Sequence, residues 1–256
     1  MKTKEDYFER HKRKQRRRRI WVRTEIGILI LLPLLLAVWG VLHILPDEDS
    51  KEAANRNISV AEETENGTEA DAGAEAEEQE QAGTVPRPDI DRQLLTINDY
   101  SRPGKKVEEI QKIVIHYIGN PKTSAQQNRD YFESLKDLQN VSMSANFIIG
   151  LQGEIIECVP LGEIAYASKS MNRYSISIEN CHPDATGKFT EATYESCVHL
   201  TAYLVEKYGL EREDIIRHYD VTGKECPRYF VRNQEEWEKF RDDVMAYISV
   251  YEEKSQ

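Results

Sequence analysis

Residues 113–117 read IVIHY and residues 215–219 read IIRHY. Both are β-branched runs that end in His-Tyr. Between them lie NFII at 146–149, EIIECV at 154–159 and SISIE at 175–179. These runs are short and bounded by Gly, Pro or Asn, which is the signature of strands. Three helical patterns fall between or after them. Around 124–138, Asn128, Tyr131, Phe132, Leu135 and Leu138 form one stripe. Over 191–208, Tyr194, Cys197, Val198, Thr201, Val205 and Tyr208 recur at helical spacing, and Gly209 is a C-terminal stop. A third helix is predicted from Asn233, with Glu236 completing a capping-box-like pair and Trp237, Phe240, Val244, Tyr247 or Ile248, and Tyr251 facing inward. Strands interleaved with helices predict an α/β domain over 89–256, with a central mixed β-sheet flanked by helices. Its 168 residues are enough for one real core.

The segment before this domain has a different composition. Residues 26–45 read IGILILLPLLLAVWGVLHIL, 20 residues without Asp, Glu, Lys or Arg. About 20 apolar residues cross a ~30 Å hydrocarbon core. Residues 1–25 carry 11 Lys/Arg against 4 Asp/Glu, and acidic residues follow the apolar run. The positive-inside rule then predicts one transmembrane helix at 26–45, a basic cytoplasmic tail at 1–25 and an extracytoplasmic main domain. A cleaved export signal is the competing reading, but no small-residue cleavage site follows the run. Residues 46–88 are acidic and contain no aromatic residue, so burial cannot offset their ordering entropy. They are expected to be a disordered linker between the cell membrane and the domain. Residues 89–256 carry a net charge of −8, the total of −11 less +7 for 1–25 and −10 for 26–88. An acidic domain argues against a nucleic-acid partner, since phosphate neutralisation needs clustered Lys and Arg.

Six histidines are present. His11 lies in the basic tail and His43 in the apolar run. His199 sits beside the stripe of the second helix and reads as a surface or boundary residue. His182 follows Cys181, but adjacent residues on an extended chain point to opposite faces, which argues against a shared metal. His116 and His218 differ, because each ends a strand-like run, and strand ends are where α/β proteins place their sites. Cys226 follows His218 by eight residues, within the loop YDVTGKECP. Two imidazoles and one thiolate would leave a fourth tetrahedral position open for water, the catalytic zinc pattern. Taken alone, these residues are equally open to reading as two core histidines and an unrelated cysteine.

In order, IVIHY, SANFII, EIIECVP, SISIEN and RHYDVTGKECP resemble the zinc-dependent N-acetylmuramoyl-L-alanine amidases, the family that includes bacteriophage lysozyme-type amidases and peptidoglycan recognition proteins. The resemblance covers about residues 95–232. It implies a mixed sheet flanked by helices, one Zn2+, peptidoglycan as substrate, and cleavage between the lactyl group of N-acetylmuramic acid and L-alanine. It implies His116, His218 and Cys226 as metal ligands, Glu179 as general base and Lys224 as the residue facing the oxyanion. The sequence departs from the pattern at Ala145, where phage-type members carry a catalytic Tyr. It departs again at Asn146, often His in relatives, and over 166–168, which lacks a His that many relatives have. These departures move the proton-transfer role to Glu179. They also keep open a second reading, a muropeptide-binding module of the same fold that does not cut. Cys158 and Cys181 end two strands that could be neighbours, so a disulfide between them is an open expectation. A cysteine peptidase using Cys226 and His218 would leave His116 without a role.

Overall fold

Among the described residues six strands form one mixed sheet in the order β1-β4-β3-β5-β2-β6. They are β1 (Asp91–Arg92), β2 (Lys112–Ile115), β3 (Phe147–Ile149), β4 (Ile155–Glu157), β5 (Ser175–Asn180) and β6 (Ile215–Arg217). Every neighbouring pair is parallel except β3 with β4. This computed structural model describes residues 84–255. The expected tail, transmembrane helix and residues 46–83 of the expected linker lie outside the described residues. Among the described residues no helix is long and apolar enough to cross a membrane.

Ile113, Val114 and Ile115 of β2 are all fully buried, as are Ile148 and Ile149 of β3. Consecutive burial, rather than alternation, means that both faces of the sheet centre are covered. Helix α1 (Ala125–Leu138) packs over β3 and β4, and α2 (Glu191–Tyr208) over β2, β3 and β5. Two single turns, α3 (His218–Thr222) and α4 (Arg228–Arg232), precede the long helix α5 (Gln234–Ser255), which lies against α2. The second strand-like run of the opening motif is thus strand only as far as Arg217; His218 begins a helical turn.

The start of α1 is set by its own sequence. Ser124 Oγ accepts from the Gln127 backbone N–H, and the Gln127 side chain accepts from the Ser124 N–H. This reciprocal box satisfies two otherwise unpaired donors. The buried face is Ala125, Asn128, Phe132 and Leu135. Tyr131 and Leu138, expected on that stripe, are 44% and 56% exposed. They lie roughly a quarter turn off its centre line. Helix α2 begins at a Thr190 cap and ends at Gly209, whose φ of 60° is the left-handed conformation that glycine adopts without strain. At α5 the expected cap is not made. The Asn233 side-chain amide instead donates to Tyr229 O, closing the end of α4.

His199 is buried, not at the surface. Its Nε2 lies 2.8 Å from Pro86 O, and its ring stacks on Tyr247. The chain at 84–86 and α5 together cover the outer face of α2. Thr84–Pro88, which composition assigns to the linker, is packed on the domain at its start. The Glu206 carboxylate accepts the Thr84 and Val85 N–H groups at 2.6 Å each and Thr84 Oγ1 at 2.7 Å, and Val85 is buried.

Candidate active site

Register builds the site. Ile115 pairs with Ile178 of β5 on one side and with Arg217 of β6 on the other. One residue further along each parallel strand come Glu179, His116 and His218. Parallel pairing puts equivalent positions on the same face, so these three side chains form a row across the carboxyl end of the sheet. That is where open α/β sheets hold their ligands. The loop after α3 then returns Cys226 to the row, and the Tyr219 N–H bonds Cys226 O at 2.9 Å. The Cys226–Pro227 peptide bond is cis.

His116, His218 and Cys226 are all buried, and each offers a donor atom within 4.8 Å of the other two. His116 Nδ1 lies 3.9 Å from Cys226 Sγ and 3.8 Å from Glu179 Oε1. The imidazole centroids are 4.7 Å apart. Nitrogen and sulfur donors on a tetrahedral zinc stand about 3.6 Å apart, so the cluster fits a metal with little adjustment. His116 Nε2, on the far side of its ring, meets Ser168 Oγ at 3.1 Å, and Ser168 Oγ lies 3.2 Å from Ser177 Oγ. A partner on the second nitrogen orients a ligating imidazole and fixes its tautomer. The Asn180 amide holds His116 from behind by donating to its backbone oxygen at 2.9 Å.

The charge state of the cluster also suits a cation. Burial, with His218 and Lys224 adding repulsion, holds His116 well below the usual imidazole range. Burial and the ammonium charges of Lys224 and Lys169 lower His218 to about 4. Both rings are therefore neutral and have a lone pair to give. Burial and the Glu179 carboxylate push the Cys226 thiol up to about 12, whereas a bound cation would deprotonate it. Burial also raises Glu179 to about 7, against the pull of Lys224. Glu179 Oε2 is buried without a hydrogen-bond partner. A recessed carboxylate oxygen left unpaired beside the donor cluster is placed to bond a water or substrate atom. Lys224 is exposed on the loop, and its charge is felt by His116, His218, Glu179 and Cys226 alike.

The five candidate residues thus come together at one sheet end. Other candidates do not join them. Both ring nitrogens of His182 lie 2.6 Å from carbonyl oxygens, those of Asp184 and Ile118, which leaves none for a metal. Cys158, Cys181, Cys197 and Cys226 are free thiols, so the possible Cys158–Cys181 bridge is absent. Ala145 is fully buried and offers no hydroxyl to the site. Sequence reading missed Ser168, Asn180 and Arg217. Only Arg217 left a signal, a charged residue inside an apolar strand run.

Comparison with known proteins agrees with this layout. Residues 106–229 match the family model described as N-acetylmuramoyl-L-alanine amidase. The chain is 32% identical over 170 residues to the N-acetylmuramoyl-L-alanine amidase CwlL of Bacillus licheniformis, covering 61% of this chain and 47% of that protein. It is 31% identical over 176 residues to the N-acetylmuramoyl-L-alanine amidase BlyA of Bacillus subtilis, covering 60% and 46%. It therefore spans about half the length of these curated relatives. The solved structure of PlyL shares the fold, with a TM-score of 0.54 at 20% identity over 61% of this chain and 97% of that one. Residues 106–229, the stretch that brings His116, His218 and Cys226 together, are thus similar to the N-acetylmuramoyl-L-alanine amidases in both sequence and fold.

Proposed function

We propose that the chain is a peptidoglycan hydrolase that cleaves the amide between N-acetylmuramic acid and L-alanine. The observation that carries this is the buried cluster of His116, His218 and Cys226 with Glu179 3.8 Å from His116, inside a stretch that matches the amidase family model. The three donors would hold Zn2+, and a zinc ion supplies Lewis acidity that activates water near neutral pH and polarises a carbonyl. Glu179 takes the proton of the attacking water and delivers it to the alanine nitrogen as the C–N bond breaks. Lys224 faces the oxygen of the lactyl carbonyl, where negative charge develops. Ser168 and Asn180 hold His116 in place through its ring nitrogen and its backbone oxygen.

The domain is anchored to the outside of the cell membrane through one helix at 26–45, with the N-terminus in the cytoplasm. The support is the charge-free apolar run and the basic residues before it. Membrane fractionation with protease protection tests it: a soluble chain, or an exposed N-terminus, would sink the topology.

The activity is tested with the purified whole chain, isolated peptidoglycan and mass spectrometry of the products, beside a His218→Ala control. Stem peptides beginning at L-alanine establish the bond. Wall binding by the zinc-loaded chain without products would replace the enzyme with the muropeptide-binding module, the reading that Ala145 keeps open.

A further inference from the structure

Arg217 stands directly before His218 and is only 8% exposed. It points its guanidinium in two directions. Towards its own turn, Nε and Nη2 fork onto the Asp220 carboxylate at 3.1 and 2.8 Å, and its backbone N–H bonds Asp220 Oδ2 at 2.8 Å. Those contacts close α3, the turn that begins with His218. Across the chain, Nη1 bonds Phe230 O at 3.1 Å and Gln234 Oε1 at 2.8 Å. Phe230 belongs to α4, which starts two residues after Cys226, and Gln234 opens α5. The guanidinium also lies over the Trp237 ring, 5.3 Å from its centroid. A planar fork with five donors can serve a carboxylate, a carbonyl and a side-chain amide at once, and a lysine ammonium cannot span them.

We infer that Arg217 is a positioning residue that sets the spacing between His218 and Cys226 by clamping the turn that carries one to the segment that follows the other. This rests on the reading of those two side chains as metal ligands. His116 lies outside the clamp, because Ser168 and Asn180 hold it from β5 and its neighbouring loop. Loss of the clamp should therefore loosen two donors of the three and leave the sheet intact. Outer-shell partners of ligands typically change metal affinity by about 10–100-fold.

The test uses the whole chain with Arg217→Lys and, separately, Asp220→Asn, which keeps the side-chain shape and removes the charge that orients the fork. Zinc affinity is measured by competition with a chromophoric chelator. Cobalt-substituted protein reports ligand geometry through its visible d–d bands. Thermal unfolding of the metal-free protein reports stability. The expected result is zinc binding weakened by about 10–100-fold in Arg217→Lys and by less in Asp220→Asn, with altered cobalt bands. Wild-type affinity and bands in both variants, with only a lower unfolding temperature, would overturn the inference. If Arg217→Lys does not fold, Asp220→Asn decides on the same criteria. A wild-type chain that binds no zinc would overturn the metal reading, and this inference with it.

Discussion

His116 Nδ1 and Cys226 Sγ lie 3.9 Å apart although 110 positions separate them in the chain. The contact is made by strand register on one side and a returning loop on the other. His218 completes the set from the helical turn that follows β6, the strand beside β2. The three donors thus come from the end of β2, from the turn after β6 and from the loop after that turn. Each can be removed without taking a whole element with it.

Removal of one ligand should empty the metal position. His218→Ala is expected to drop retained zinc from about one per chain to near zero after dialysis, since two protein donors rarely hold a catalytic zinc. Elemental analysis of the dialysed protein checks this. Full zinc occupancy in the variant would show that the ion sits elsewhere.

Glu179 should matter to rate and not to metal. Glu179→Gln keeps the shape and removes proton transfer, so amidase turnover should fall by about 10²–10⁴-fold while zinc content holds. Product release from peptidoglycan, measured beside zinc content, separates the two. An unchanged turnover number would remove Glu179 from the mechanism.

Acid should destabilise the domain through His199. Burial holds its folded-state imidazole below the ordinary range, with the bond to Pro86 O opposing in part. In the unfolded chain it titrates near 6.5. Above that pH both states are neutral and the stability is complete. Below it the unfolded chain takes up a proton that the folded one refuses, and stability falls by at most about 1.4 kcal/mol per pH unit until the folded-state group also protonates. Denaturant unfolding at pH 7.5 and pH 5, compared between wild type and His199→Gln, isolates this contribution. Equal acid sensitivity in the two proteins would assign the effect to other groups.

The α2–α5 interface is expected to be the costliest place to cut. Phe240 is fully buried among Tyr194, Phe230 and Trp237. Phe240→Ala should cost about 3–5 kcal/mol, the range for an aromatic core deletion. Calorimetry or chemical denaturation gives the value. A loss under about 1 kcal/mol would mean that the cluster closes around the gap.

What could be read from the residues was local. β-branched runs between Gly, Pro and Asn marked five of the six strands, because short apolar segments with those boundaries have few other uses. β1 escaped because Asp91–Arg92 has two exposed residues and no pattern. Helix periodicity placed α1, α2 and α5 but not their depth. Tyr131 is exposed and His199 buried because of what packs against each helix, and a single helix does not encode its neighbours.

The sequence by itself determined five strands and the three long helices and, through the ordered resemblance, the five candidate residues. Tertiary structure alone decided that Glu179, His116 and His218 stand in one row, because that depends on parallel register that pairs Ile115 with Ile178 and with Arg217, far apart in the chain. It alone decided that the four thiols stay free, that His182 spends both nitrogens on carbonyl oxygens, and that Arg217 bonds both Asp220 in the turn after β6 and Phe230 in the segment after Cys226. The physical reason is the same in each case. Propensity and periodicity act over a few residues, whereas distance, burial and charge at a site are set by chain segments that meet only when the sheet closes.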